Sequence, residues 1–435
     1  RRDRQYTMRS SSAEPTRVGP ARLLRRAARK VGGFTASVVI TGITSLLTIP
    51  IIVVFAGAQS WASIAVGQTI GVIATVFIGL GWAQLGPTVI ARATRIERAR
   101  YYGESVAARA IAYLLAIPLV VFVASVLAPT VDDSSLTVLG ALVAAFLATS
   151  TPWYFVGTGD PRGLFLYDAA PRALGAWGGA LATIPTGNGI AAVVGIAAGN
   201  LAATVFSFAV IKHREGPATR FTLRELFHAV RGQQAGIGIG VFSTIYQSLP
   251  LLIVSAAFPS STAAYALVDR LRQQAVTSVT PIAQSAQGWV PQALGAELHR
   301  RVRIVRNIAL GLGALGAIAF ATLAMPVGSA LGGGAINIGP DLAVPIGATF
   351  GLSISTLIIG SACLIPLGRA GAVARSAIVG TCTIVIALAV GALAPSPGAV
   401  ALATAIAQSA VLAVQLWSLH RALRTPAGPD PEPQE

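Results

Sequence analysis

Residues 108–129 read ARAIAYLLAIPLVVFVASVLAP, and they settle the architecture. After Arg109 the chain runs for twenty-two residues without a charge. About 20 apolar residues make a helix long enough to cross about 30 Å of hydrocarbon. The stretch lacks the apolar/polar alternation of a barrel strand, and an open sheet cannot satisfy its backbone in lipid. Blocks of this kind recur to the end of the chain. Of 435 residues 54% are hydrophobic and only 11% charged, whereas a soluble domain carries roughly 25% charged residues. The sequence predicts an all-α polytopic membrane protein.

Twelve spans are predicted, near 34–55, 61–90, 105–128, 136–157, 164–184, 190–211, 235–257, 263–291, 304–328, 342–364, 371–393 and 399–419. The basic residues orient them. The N-terminal tail, every second connection and the C-terminal tail hold 28 of the 32 Arg and Lys residues, and the other six connections hold none. That split is a positive-inside pattern and places both termini in the cytoplasm, the expected site being the cell membrane. It also accounts for the net charge of +16 by topology and contact with anionic lipid head groups rather than by nucleic acid. Residues 1–33 form a basic tail and 421–435 a disordered one, and ARLLRRAARK (21–30) has the composition of a membrane-surface helix. Cys363 and Cys382 lie in apolar blocks as small packing residues, with no metal-ligand spacing. No cofactor is expected, and no motif names a coupling ion.

The opening stretch has a counterpart. Residues 305–326, VRNIALGLGALGAIAFATLAMP, align with it at an offset of 197 and pair Arg109 with Arg306. TIPIIVVFAGAQS (48–60) aligns with SLPLLIVSAAFPS (248–260) at an offset of 200. The chain therefore divides into an N-lobe (34–211), a cytoplasmic linker (212–234) and a C-lobe (235–420). Six spans per lobe is an even number, so the lobes share one orientation. Their pseudo-two-fold axis runs along the membrane normal, with a central cavity between them.

Charges inside spans are costly. YALVDRLRQQ (265–274) puts Asp269, Arg270 and Arg272 into span 8. An Arg or Asp at mid-bilayer costs about 2.5–3.5 kcal/mol, so the three cost on the order of 8–10 kcal/mol facing lipid. The helix must turn them to protein or water. Asp269, Gln273, Thr277, Thr280, Gln284 and Gln287 recur every three or four residues, making one polar stripe with Arg272 beside it. Asp269 is placed to pair with Arg272 or Gln273 along the helix, leaving Arg270 to meet an anion. Thr44 in span 1, Gln68 in span 2, and Tyr246 and Gln247 in span 7 extend the polar lining. Polar residues that merely glue helices together are the plainer account of spans 1 and 7. Secondary candidates are Asp168 and Arg172, which are spaced for a local salt bridge, and Trp153 and Tyr154, which suit an interfacial aromatic belt.

Three stretches resemble the polysaccharide-exporter (oligosaccharide flippase) family of the multidrug/oligosaccharidyl-lipid/polysaccharide (MOP) superfamily. They are TSLLTIPIIVVFAGAQSWASIAVGQTIGVIATVFIGLGWAQLGPTVIARA (44–93), PWYFVGTGDPRG (152–163) and STAAYALVDRLRQQ (261–274). The resemblance implies a flippase that carries a polyprenyl-pyrophosphate-linked oligosaccharide across the membrane by alternating access, with glycan-assembly enzymes as partners. A lipid II flippase and a cation-coupled multidrug exporter are the alternatives. A membrane glycan polymerase or ligase fits less well, because the outer connections are short and their acids, Asp132, Asp133 and Asp341, belong to no nucleophile constellation.

Overall fold

The computed structural model describes residues 42–128, 134–216, 222–231, 234–293, 295–391 and 395–424. The N-terminal tail with its proposed surface helix, the first residues of span 1, and residues 425–435 lie outside the described set. Within it every element is helical. The N-lobe comprises α1 (Gly42–Ala56), α2 (Ala58–Gly79), α3 (Trp82–Arg92), α4 (Arg95–Val126), α5 (Ser134–Ala145), α6 (Pro152–Thr158), α7 (Pro161–Leu164), α8 (Ala170–Thr186) and α9 (Gly189–Glu215). The short α10 (Leu223–Arg231) lies in the linker. The C-lobe comprises α11 (Gln234–Ala257), α12 (Thr262–Trp289), α13 (Gly295–Leu331), α14 (Pro340–Ile358), α15 (Ala370–Gly391) and α16 (Pro397–Arg424). Twelve transmembrane helices in two six-helix lobes result. Eight are long and apolar enough to cross a membrane on those grounds alone. The helix α12 is not among them, because its charges and amides lower its hydropathy.

Local chemistry explains where spans break. Span 2, predicted as one helix, divides into α2 and α3 where Leu80 (φ 49°) and Gly81 (φ 83°) both enter the left-handed region. Span 4 divides because α5 tightens into a 3-10 turn over Phe146–Thr149, Ser150 is extended, and Pro152 starts α6. Proline suits the first helical turn, where its missing N–H is no loss. Span 5 widens into a π turn at Phe165–Ala169 and span 10 into another at Ile359–Leu364. Thr94 and Glu97 form a reciprocal capping box that starts α4.

Small residues let helices touch. Gly175 and Gly179 on α8 face Gly195 and Gly199 on α9, and a Cβ built on Gly195 would lie 2.3 Å from the Gly179 Cα. Four-residue glycine spacing on both helices brings the backbones together, and this close approach replaces the hydrophobic drive that lipid removes. Cys363 is buried, as expected of a packing residue, but Cys382 is exposed on α15, because that helix turns this face away from its neighbours.

The lobes meet unevenly. At the end with the arginine-free connections they share one apolar core, in which Val53, Trp61 and Leu136 join Val254, Ile338 and Leu342. At the basic end each lobe has its own core. Trp82, Tyr102, Trp153 and Phe155 mark the N-lobe cluster, and Val302, Ile358, Leu364 and Leu419 the C-lobe cluster. The α2 helix packs on α11 and α12 across the boundary.

Candidate functional site

Of the arginines that fall inside the predicted spans, four are turned to protein or cavity: Arg109, Arg172, Arg270 and Arg272. Charge burial demands a partner for each, and the structure supplies different ones. Arg172 Nη2 donates to Asp168 Oδ1 at 2.7 Å and Nη1 to Asn200 Oδ1 at 3.2 Å. Arg272 donates from Nε to Asp269 Oδ1 at 2.9 Å, and Gln273 Nε2 donates to Asp269 Oδ2 at 2.8 Å. Arg109, 2% exposed, donates to the carbonyls of Ala148 (2.9 Å), Ser150 (2.6 Å) and Ser105 (3.1 Å). It therefore holds the broken span 4 together. Its guanidinium also lies 5.6 Å from the Trp153 ring centroid, a favourable cation–π distance.

Arg270 differs. Its Nε and Nη2 donate to Ser45 Oγ of the opposite lobe at 3.0 and 2.6 Å. Among the described residues it forms no ion pair and no further hydrogen bond. It lines a space of about 60 Å³ between the lobes, with Gln68, Thr69, Gln247, Asp269 and Gln273. A central cavity is expected from the polar faces of spans 1, 2, 7 and 8; spans 2, 7 and 8 line this space, and no described residue of span 1 does. The helix wheel explains the division within DRLR. Positions two apart on a helix diverge by about 200°, so Arg270 meets the N-lobe while Arg272 turns back into the C-lobe.

A second, larger cavity was not anticipated. It measures about 310 Å³ and lies inside the C-lobe, walled by α11, α12, α14, α15 and α16. Asp269 and Gln247 line both spaces, and Arg272 lines the larger. The other polar contributors include Thr349, Ser353 and Thr356 on α14 and Thr404, Gln408 and Gln415 on α16. Gln408 Nε2 donates to Thr356 Oγ1 at 2.8 Å, and the Thr349 and Thr404 hydroxyls are 3.1 Å apart. A sequence signal existed: both sets recur at helical spacing. Apolar surroundings and the absence of charge leave that spacing without a mark that separates a cavity wall from ordinary helix contacts.

The remaining candidates fall elsewhere. Thr44 is buried and lends its carbonyl to the Thr48 hydroxyl at 3.1 Å, and it lines neither cavity. Gln287 is exposed near the basic end of α12 and lines neither. The side chains of Tyr246 and Gln284 lie outside the described ones. Asp168 and Arg172 form the salt bridge expected from their spacing, buried within the N-lobe. Trp153 and Tyr154 are not interfacial aromatics. They are 4% and 1% exposed, packed with Tyr102 and Phe155, because α3, α4 and α6 converge there and their rings fill the junction.

Comparison with known proteins places the fold. No family model matches the chain, and no curated protein is significantly similar to it. Solved structures are. The lipid II flippase MurJ in an inward closed conformation superposes with a TM-score of 0.64 at 12% identity, over 90% of this chain and 88% of that one. An inward-facing multidrug resistance MATE family transporter of the MOP superfamily gives 0.59 at 15%, over 87% and 94%. A MOP superfamily transporter from Pyrococcus furiosus, described as having a binding pocket of reverse polarity, gives 0.56 at 15%, over 90% and 95%. The chain has the fold of MOP superfamily transporters.

Proposed function

We propose that this protein is a flippase for a polyprenyl-pyrophosphate-linked oligosaccharide and works by alternating access across the cell membrane. One observation carries the reading: Arg270 sits between the lobes held by a serine hydroxyl, and among the described residues it has no ion-pair partner, its neighbour Asp269 being paired with Arg272. A guanidinium offers forked donors matched to phosphate oxygens. The polyprenyl tail stays in the bilayer, so the protein need enclose only the head group. Lobes joined at the arginine-free end and separate at the basic end suit a state closed to the outside, given cytoplasmic termini. Export of cationic drugs is the weaker reading, because Asp168 and Asp269 are both held by arginines and neither carboxylate is left for a cation. Lipid II is the alternative cargo with the same diphosphate chemistry.

The test is genetic and then biochemical. Deleting the gene should abolish a surface glycan, and wild type but not Arg270→Gln should restore it while inserting at the same level. In proteoliposomes, Arg270→Gln should slow translocation of a fluorescent diphosphate-linked oligosaccharide by about 10- to 100-fold, the worth of a charge-assisted hydrogen bond. Full activity of the variant, or unchanged glycan with accumulation of a cationic drug in the deletion strain, refutes the proposal. Restoration by lipid II transport alone would make lipid II the cargo.

A further inference from the structure

We propose that the cavity inside the C-lobe is a sugar subsite: it takes an uncharged, hydroxyl-rich pyranose unit of the head group, while the diphosphate of the same ligand lies against Arg270 on the other side of α12. This rests on the proposed function and specifies how its substrate is divided between two spaces.

Size, charge and hydrogen-bonding capacity all bear on the occupant. At about 310 Å³ the cavity has room for about ten waters and reaches the lower bound of small-molecule sites, about 300 Å³. An ion would leave most of it empty. Among the described residues its only charged lining residues are Asp269 and Arg272, and they neutralise each other at 2.8 Å. A ligand with net charge would lose its hydration there without meeting a counter-charge. A purely apolar ligand would strand the hydroxyls and amides.

A sugar hydroxyl meets what remains. Ser353, Ser376 and Thr381 spend their protons on carbonyls of their own helices at 2.7, 2.7 and 3.0 Å. The Ser353 and Thr381 oxygens are left as acceptors, and the Ser376 oxygen keeps one lone pair beside the bond it accepts. Gln415 is 3% exposed and its Oε1 has no partner among the described residues, although its Nε2 donates to Ser376 Oγ at 3.3 Å. The wall is therefore rich in acceptors, and a hydroxyl-bearing ring is a neutral source of donors. Val276, Leu357 and Val411 give the same wall an apolar side for the C–H face of the ring. Continuity comes from Asp269 and Gln247, which line both cavities, so one head group can reach across that wall.

The experiment separates the two parts of the ligand. Wild-type protein in nanodiscs is titrated with farnesyl diphosphate and with farnesyl diphosphate carrying one glucose, galactose or N-acetylglucosamine. The expected result is that at least one sugar tightens binding about tenfold, the worth of one or two net hydrogen bonds. Two wall variants should each lose that gain while binding farnesyl diphosphate as wild type does: Gln408→Leu with Gln415→Leu removes polarity, and Ser353→Leu fills space. Arg270→Gln should weaken both ligands alike. A sugar gain that survives in both wall variants, or diphosphate binding with no sugar gain in wild type, overturns the subsite and leaves the flippase reading standing. Wall variants that change only a sodium response against potassium overturn it in favour of an ion site. Failure of wild type to bind either lipid overturns both proposals together.

Discussion

Replacing Asp269 with Asn takes the counter-charge away from the Arg272 guanidinium in the wall between the two cavities. The carboxylate now accepts from Arg272 Nε at 2.9 Å and Nη2 at 2.8 Å, and from Gln273 Nε2 at 2.8 Å. The two charged side chains retain only 11% and 12% of their exposure, so water screens them little. Removing one partner of such a buried pair costs about 3–5 kcal/mol, because the other charge stays behind without compensation. Asparagine keeps one carbonyl acceptor, which puts the expected loss near the lower end, about 3 kcal/mol. Removing Arg272 as well, as Gln, takes away the cation that had lost its counter-charge, and most of that loss should return. Equilibrium unfolding in mixed micelles of dodecyl sulfate and dodecyl maltoside, run on wild type, both single variants and the double, gives the coupling directly. A loss below about 1 kcal/mol for Asp269→Asn, the range of exposed ion pairs, would refute the reasoning. Additivity of the two singles within about 0.5 kcal/mol would do so too.

Three further outcomes follow from the same geometry. Arg109→Met strands the buried carbonyls of Ala148 and Ser150 and should cost about 2–5 kcal/mol, with a shift in tryptophan emission as Trp153 loses its cation. Unchanged unfolding would show that span 4 closes without the clamp. Gly195→Leu drives α8 from α9, since even a Cβ there would sit 2.3 Å from Gly179. A cost of about 3 kcal/mol or more is expected, and near-native stability would contradict the close approach. On the basic surface, hydrogen bonds from Arg300 and then Arg301 hold the Glu297 carboxyl at about 2, against an ordinary value of 4.5. A depressed value in the fold means that its support of the α13 start is whole above about pH 4.5 and fades as pH falls toward 2. A nuclear magnetic resonance titration with its midpoint near 4.5 would rule that pairing out.

Much of the fold was legible from local composition. The predicted spans coincide with observed helices or helix pairs, although α4 begins ten residues before predicted span 3 and α13 nine before span 9, and the start of span 1 lies outside the described residues. The breaks in the N-lobe chain were partly visible: Pro152 and Gly81 are punctuation in the sequence. What hid them was the apolar run on either side, which continues as if one helix filled it. The pairing of Asp269 with Arg272 followed from i,i+3 spacing alone, because the two lie on neighbouring turns of one helix. The burial of Trp153 and Tyr154 did not follow, because aromatic residues near a span end satisfy an interfacial and a packed position equally well until α3 and α4 are seen to cover them.

The sequence by itself determined that the chain crosses a membrane as helices, how many times it crosses, which ends carry the positive charge, and that α12 must hide a polar stripe. Each of these is a condition on one segment: backbone groups must be satisfied within the helix, the length must match the hydrocarbon, and each charge has a transfer cost. Only the tertiary structure decided that Arg270 meets the opposite lobe while Arg272 turns inward, and that the larger cavity lies within the C-lobe. Both outcomes depend on where α12 sits against helices far away in the chain, α1 and α2 on one side and α14 to α16 on the other. The spacing of charges along one helix carries no record of what its neighbours present.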